Sequence, residues 1–105
     1  MATVHVQPGV CGFDAEIHAT ADEDMNVHIE LSSACPQVIR LGTAVADVSA
    51  LELLRRPIHE TSIYQAAGAA RCHAACPVPA AIIKAIEVAA GLALPRDVQM
   101  IITRD

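Results

Sequence analysis

The chain is poor in aromatic side chains: it has no tryptophan, and Phe13 and Tyr64 are its only large rings. Its core must therefore be assembled from Ala, Val, Ile and Leu, which pack closely but bury little area each. Positive charge is also scarce. Seven Lys and Arg face twelve Asp and Glu, a formal charge of -5, which excludes nucleic acid as a partner because phosphate contacts need clustered bases. No apolar run approaches the roughly 20 residues needed to span a bilayer. The opening Met1-Ala2-Thr3-Val4-His5 lacks the basic and apolar regions of a signal peptide. These absences place the chain in the cytoplasm, with no membrane partner. Also missing are a glycine-rich phosphate loop, a G-x-S-x-G elbow and an H-E-x-x-H helix.

What is present reads as one globular domain over 1–105, with 53% hydrophobic and 18% charged residues. A core of this size gains from a metal centre or a homo-oligomer interface, although neither is demanded by composition. Residues 3–7 alternate, with Val4 and Val6 against Thr3, His5 and Gln7. So do residues 14–20, with Ala15, Ile17 and Ala19 against Glu16, His18 and Thr20. Residues 26–32 repeat the pattern with Val27, Ile29 and Leu31. The spacing predicts a three-stranded meander, with Ala21–Asp24 as a hairpin loop that pairs Thr20 with Asn26.

The period then becomes helical. Pro36 suits the first position of a helix capped by Cys35 or Ser33, and Ser32-Ser33 reads as capping chemistry. A second helix is predicted over 47–56, stopped by Pro57, and a third from Thr61 or Ser62 to Cys72. Pro79 opens the last, with Ile82, Ile83, Ile86 and Ala90 inward and Gly91 as its C-terminal cap. Val98, Met100 and Ile102 alternate with Gln99 and Thr103 as a final strand. The expectation is an α+β two-layer domain in the order βββααααβ, a meander plus C-terminal strand in one sheet with helices on one face.

Cys11, Cys35, Cys72 and Cys76 each border a break in this pattern. Ends of elements can converge where mid-helix residues cannot. Helix N-termini stabilise thiolates, the form that binds soft and borderline metals. A shared site could hold an iron–sulfur cluster with four cysteines, or zinc with Cys11, Cys35, Cys76 and His73. Cys72-x3-Cys76-Pro77 matches only the last part of a ferredoxin run. Two other readings stand beside this one. The cysteines could be buried small hydrophobes in a non-catalytic domain that binds an unknown protein partner, or Cys76 could be the nucleophile of a thiol enzyme with His73 as base. His5, His18 and His28 share the polar face of the meander with Glu16 and Glu30, which reads as a solvent face able to meet a cation or partner. His59, alone after Pro57, reads as a surface residue.

Cys11-Gly12-Phe13, Cys35-Pro36, Cys76-Pro77-Val78-Pro79 and the run Lys84–Val98 together resemble a group of small, uncharacterised prokaryotic proteins. The resemblance spans nearly the whole chain and brings no established activity. Within it Cys72 is less fixed in position than Cys11, Cys35 and Cys76. It therefore implies a three-cysteine site completed by His73 or an external ligand.

Overall fold

The computed structural model describes residues 1–105. Three strands come first: β1 over Ala2–Val6, β2 over Ala15–Ala21 and β3 over Asn26–Ser33. Helix α1 over Pro36–Ala44 leads to a short strand, β4, at Asp47–Ser49, and directly into α2 at Ala50–Arg55. A 3-10 turn at Ile58–Glu60 precedes α3 over Ser62–Ala69, and α4 covers Val78–Ala89. The sheet is antiparallel with strands in the order β1-β2-β3-β4. This is an α+β domain with one four-stranded sheet, and no helix is long and apolar enough to cross a membrane.

Alternation sets the sheet's two faces. Val6, Ala15, Ile17, Ala19, Val27 and Ile29 are buried, while their polar neighbours stay at the surface. Onto the apolar face pack α1, against β3, and α4, against β1 and β2, with α3 touching both helices. Val38, Leu41 and Val45 from the α1 region, Ile63 and Ala67 from α3, and Val78, Ile82, Ala85 and Ile86 from α4 complete the core. Burying a side chain such as Ile17, Leu41 or Ile82 stabilises the fold by roughly 1.5–3 kcal/mol. The fit over β3 is tight. A Cβ built on Gly42 would stand 3.0 Å from the Cβ of Leu31.

The helix ends follow their sequence signals. Pro36 lies in the first turn of α1, with Cys35 as N-cap. Thr61 caps α3: its hydroxyl accepts from the Tyr64 amide at 3.2 Å and donates to the Ile58 carbonyl at 2.8 Å. Both α3 and α4 close in the same way. Cys72 N–H reaches the Ala67 carbonyl at 3.0 Å and Arg71 N–H the Gly68 carbonyl at 3.1 Å. Leu92 and Gly91 make the equivalent bonds to Glu87 and Val88, at 2.8 and 3.1 Å. These are Schellman motifs, which put the residue after the cap in the left-handed region. Gly91 takes that position at φ 77°, as expected, and Arg71 takes it at φ 62°.

Three expectations need correction. The fourth strand is Asp47–Ser49 beside β3, rather than the C-terminal run, and 95–105 carry no regular structure. The predicted helix over 47–56 consequently begins at Ala50. Three residues are too few to display a period, and the good helix formers after Ser49 hide them; amide bonds from Ile29 to Ala46 and from Ala50 to Met25 complete the ladder. The hairpin register is also displaced, pairing Ala21 with Val27 and Thr20 with His28. The cause is Asp22, whose carboxylate accepts from the Asp24 and Asn26 amides at 2.8 and 3.0 Å, so that the turn occupies 22–25. A slip of two residues keeps every side chain on its expected face.

Candidate functional site

Three of the four cysteines come from separate helix ends and lie half-buried against the rim of the core. Cys35 is the N-cap of α1; its amide is held by the Ser33 hydroxyl at 3.2 Å, and its sulfur donates to Gln37 Oε1 at 3.3 Å. Cys72 is fixed by the Schellman motif that ends α3. Cys76 follows a tight turn closed by its own amide on the His73 carbonyl at 3.0 Å, and it precedes Pro77, the N-cap of α4. Arg40 joins these ends: its guanidinium donates to the Ala70 carbonyl at 2.9 Å, clamping α1 to the end of α3 two residues before Cys72.

Cys72 feels the other two half-buried sulfurs electrostatically. Burial raises the Cys72 pKa above its ordinary value of 9.0, and negative charge on Cys76, then on Cys35, acts in the same direction. The Arg40 guanidinium opposes the rise. Cys72 is therefore a protonated thiol at neutral pH.

Cys11 stands apart. It is exposed, in the Gln7–Asp14 loop between β1 and β2, where Gly9 and Gly12 both have positive φ and Gly12 N–H returns to the Gly9 carbonyl at 3.0 Å. The loop nevertheless leaves from the correct end of the sheet. Val6 pairs with Ala15, and Ala15 pairs with Ser33 at the end of β3, two residues before Cys35. Of the expected ligands, Cys35, Cys72 and Cys76 pack against the core, and Cys11 lies on the exposed loop. No three Cys, His, Asp or Glu side chains are grouped closely enough to hold a metal ion as they stand. His73 is exposed on the turn and linked to Cys76 through the main chain.

Gln37 and Arg40 are the site residues that the sequence pattern left unmarked. Both follow Cys35 within the first turns of α1, so a search for polar groups on the helix that Cys35 caps would have found them.

The sheet's outer face is a row of histidine–carboxylate pairs. His18 contacts Glu16 at 3.2 Å and accepts or donates to the Thr3 hydroxyl at 3.0 Å, and His5 meets Asp14 at 4.0 Å. His28 lies 3.0 Å from Asp47 on β4 and 3.7 Å from Glu30. Thr3 stands opposite His18 and Asp47 opposite His28 across neighbouring strands, whereas Glu16 and Glu30 lie two residues along from these histidines on the same strands. The hydrogen bond to the Asp47 carboxylate raises the His28 pKa above 6.5. His59 is a surface residue beside Glu60.

No curated protein and no solved structure matches the chain. A family model does match, over residues 2–102: the family of unknown function DUF6951. The chain belongs to that family.

Proposed function

For this member of a family without an established activity, we propose a small metal-binding protein whose centre is built on Cys35, Cys72 and Cys76. The supporting observation is that three thiols from three helix ends are half-buried against one core, with Cys72 in the field of Cys76 and Cys35. Cys11, on its glycine-bearing loop at the same end of the sheet, is the fourth ligand of a four-cysteine site. His73, on the turn between Cys72 and Cys76, is the alternative. Three thiols with one further donor suit zinc or an iron–sulfur cluster, since both take thiolate and neither needs a carboxylate. Metal binding would draw the sulfurs inward and release their protons, so affinity should rise with pH. Redox or electron-transfer chemistry would follow if the centre is iron–sulfur.

The test is anaerobic purification followed by a visible spectrum, metal analysis and titration with Co(II). With Tyr64 and no tryptophan, little protein absorbance obscures a cluster or a thiolate charge-transfer band. The expected result is one centre per chain that is lost in Cys35→Ser and Cys76→Ser. Retention in Cys11→Ser would assign the fourth position to His73. A protein that takes up neither iron nor cobalt under reducing conditions would overturn the reading.

A second reading has its own support. The cysteines are free, and the carboxyl-terminal residues expose a run of large apolar side chains. Both features suit a non-catalytic interaction domain in which the thiols are packing residues. Such a domain would bind no metal and would bind a protein partner.

A further inference from the structure

The most exposed apolar segment of the molecule is also its most strand-like unpaired one. Leu94, Val98, Met100, Ile101 and Ile102 are 84, 63, 71, 79 and 88% exposed, and every residue from Gly91 onward lies at the surface. Beyond Leu92 no main-chain group of this segment takes part in a backbone hydrogen bond. Its composition is nevertheless that of a strand: in extended form Val98, Met100 and Ile102 share one face, bracketed by Arg96 and Arg104. The family match runs through Ile102, so the segment belongs to the shared unit.

The sheet has a vacancy of matching kind. In the order β1-β2-β3-β4, the outer edge of β1 has no neighbour. On one side of that edge Val4 is only partly covered, beneath α4 and its half-buried Ile83. On the other stand Thr3 and His5. An open edge beside an unpaired, apolar, β-forming tail is an arrangement that monomeric proteins avoid, because each invites pairing with another chain.

We infer that the segment Asp97–Thr103 adds as a fifth strand to the β1 edge of a second copy of this chain, reciprocally, giving a strand-exchanged dimer. Val98, Met100 and Ile102 would then cover Val4 and the flank of α4, and Asp97 would lie on the face that carries His5. Main-chain bonds along the edge provide affinity, and the apolar side chains set the register. Two-fold exchange satisfies both edges and closes the assembly. Three apolar side chains at roughly 60–120 Å² each, on two tails and with the surfaces they cover, bury on the order of 1,000 Å². That is close to the roughly 1,000 Å² at which a specific interface begins, and main-chain pairing along the edge adds to it. A tail folding back on its own β1 would cover the same face within one chain and leave the protein monomeric.

The experiment is light scattering and sedimentation of the full chain with a chelator present, so that metal-bridged association is excluded. It compares wild type with Met100→Asp/Ile102→Asp, whose changes touch no part of the folded body. The dimer is expected to weaken on the order of 100-fold in the variant, with an unchanged circular dichroism spectrum. Isotope-filtered NMR on a mixture of labelled and unlabelled chains should show contacts between Met100 or Ile102 of one chain and Val4 of the other. A monomeric wild type overturns the inference, whether its tail is unprotected or docked on its own edge. A dimer indifferent to the two aspartates overturns it equally. Loss of metal binding would leave the dimer intact, so the two proposals fail separately.

Discussion

Arg71 and Gly91 occupy the same position in two equivalent helix endings, which makes a controlled comparison of backbone strain. Each sits just past the cap of its helix, at φ 62° and φ 77°. Holding an L side chain there costs roughly 1–2 kcal/mol. A glycine avoids that cost but gives the unfolded chain extra freedom, which returns roughly 0.4–1 kcal/mol. The net advantage of glycine over alanine should be about 1 kcal/mol at either site. Neighbours do not complicate the estimate at Gly91, since a Cβ there meets nothing within 4 Å. At Arg71 the charge is a complication, because a cation at a helix C-terminus contributes roughly 0.3–1 kcal/mol through the helix dipole. The proper measure is therefore Arg71→Gly against Arg71→Ala. Urea unfolding of these two variants, of Gly91→Ala and of wild type gives four midpoints. Gly should exceed Ala by about 1 kcal/mol at both positions, or about 4–8 °C in thermal midpoint for a domain of this size. If Arg71→Gly is no more stable than Arg71→Ala while Gly91→Ala is clearly destabilised, the two endings are not equivalent and the strain argument at Arg71 is wrong.

Three further outcomes follow from the packing and the charges. Under mild iodoacetamide treatment Cys11 should be modified first and Cys72 last, as exposure and a raised pKa dictate; peptide mapping that finds Cys72 labelled early would contradict the buried trio. Gly42→Ala should gain about 1 kcal/mol in helix propensity but lose roughly 1–3 kcal/mol by overpacking Leu31, for a net destabilisation in urea. A stabilised variant would mean that α1 does not press on β3 as described. His28 has a folded pKa above its unfolded 6.5, so its contribution is complete below 6.5 and is lost as pH rises through the folded value. An NMR titration should show that midpoint falling in Asp47→Asn, and an unchanged midpoint would remove Asp47 as the cause.

Much of the fold could be read because β1, β2 and β3 each run long enough to show a period of two, with small apolar residues inside and His, Glu and Thr outside. Pro36, Thr61 and Gly91 likewise announced helix ends by chemistry that acts locally. β4 escaped because its identity comes from partners rather than composition: Asp47, Val48 and Ser49 are a strand only because β3 is beside them. The C-terminal run shows the reverse case, a segment with full strand character and no partner within its own sheet. At the candidate site, the placement of Cys35 and Cys76 at helix ends was legible from the prolines that follow them. The link between the Cys35 and Cys72 helix ends was not legible, because Arg40 ties α1 to the end of α3 across 30 residues, a contact that no local pattern encodes.

The histidine–carboxylate pairs on the outer sheet face have a consequence for the molecule as a colloid. Four of the five histidines lie within 4.0 Å of an Asp or Glu. Seven Lys and Arg with five histidinium groups equal the twelve acids, so complete histidine protonation brings the formal charge from -5 to zero. The charge that keeps copies of this chain apart thus equals the number of its histidines, and acidification toward the isoelectric region removes it. Solubility and self-association should consequently change most steeply between neutral pH and the isoelectric region near 5.4.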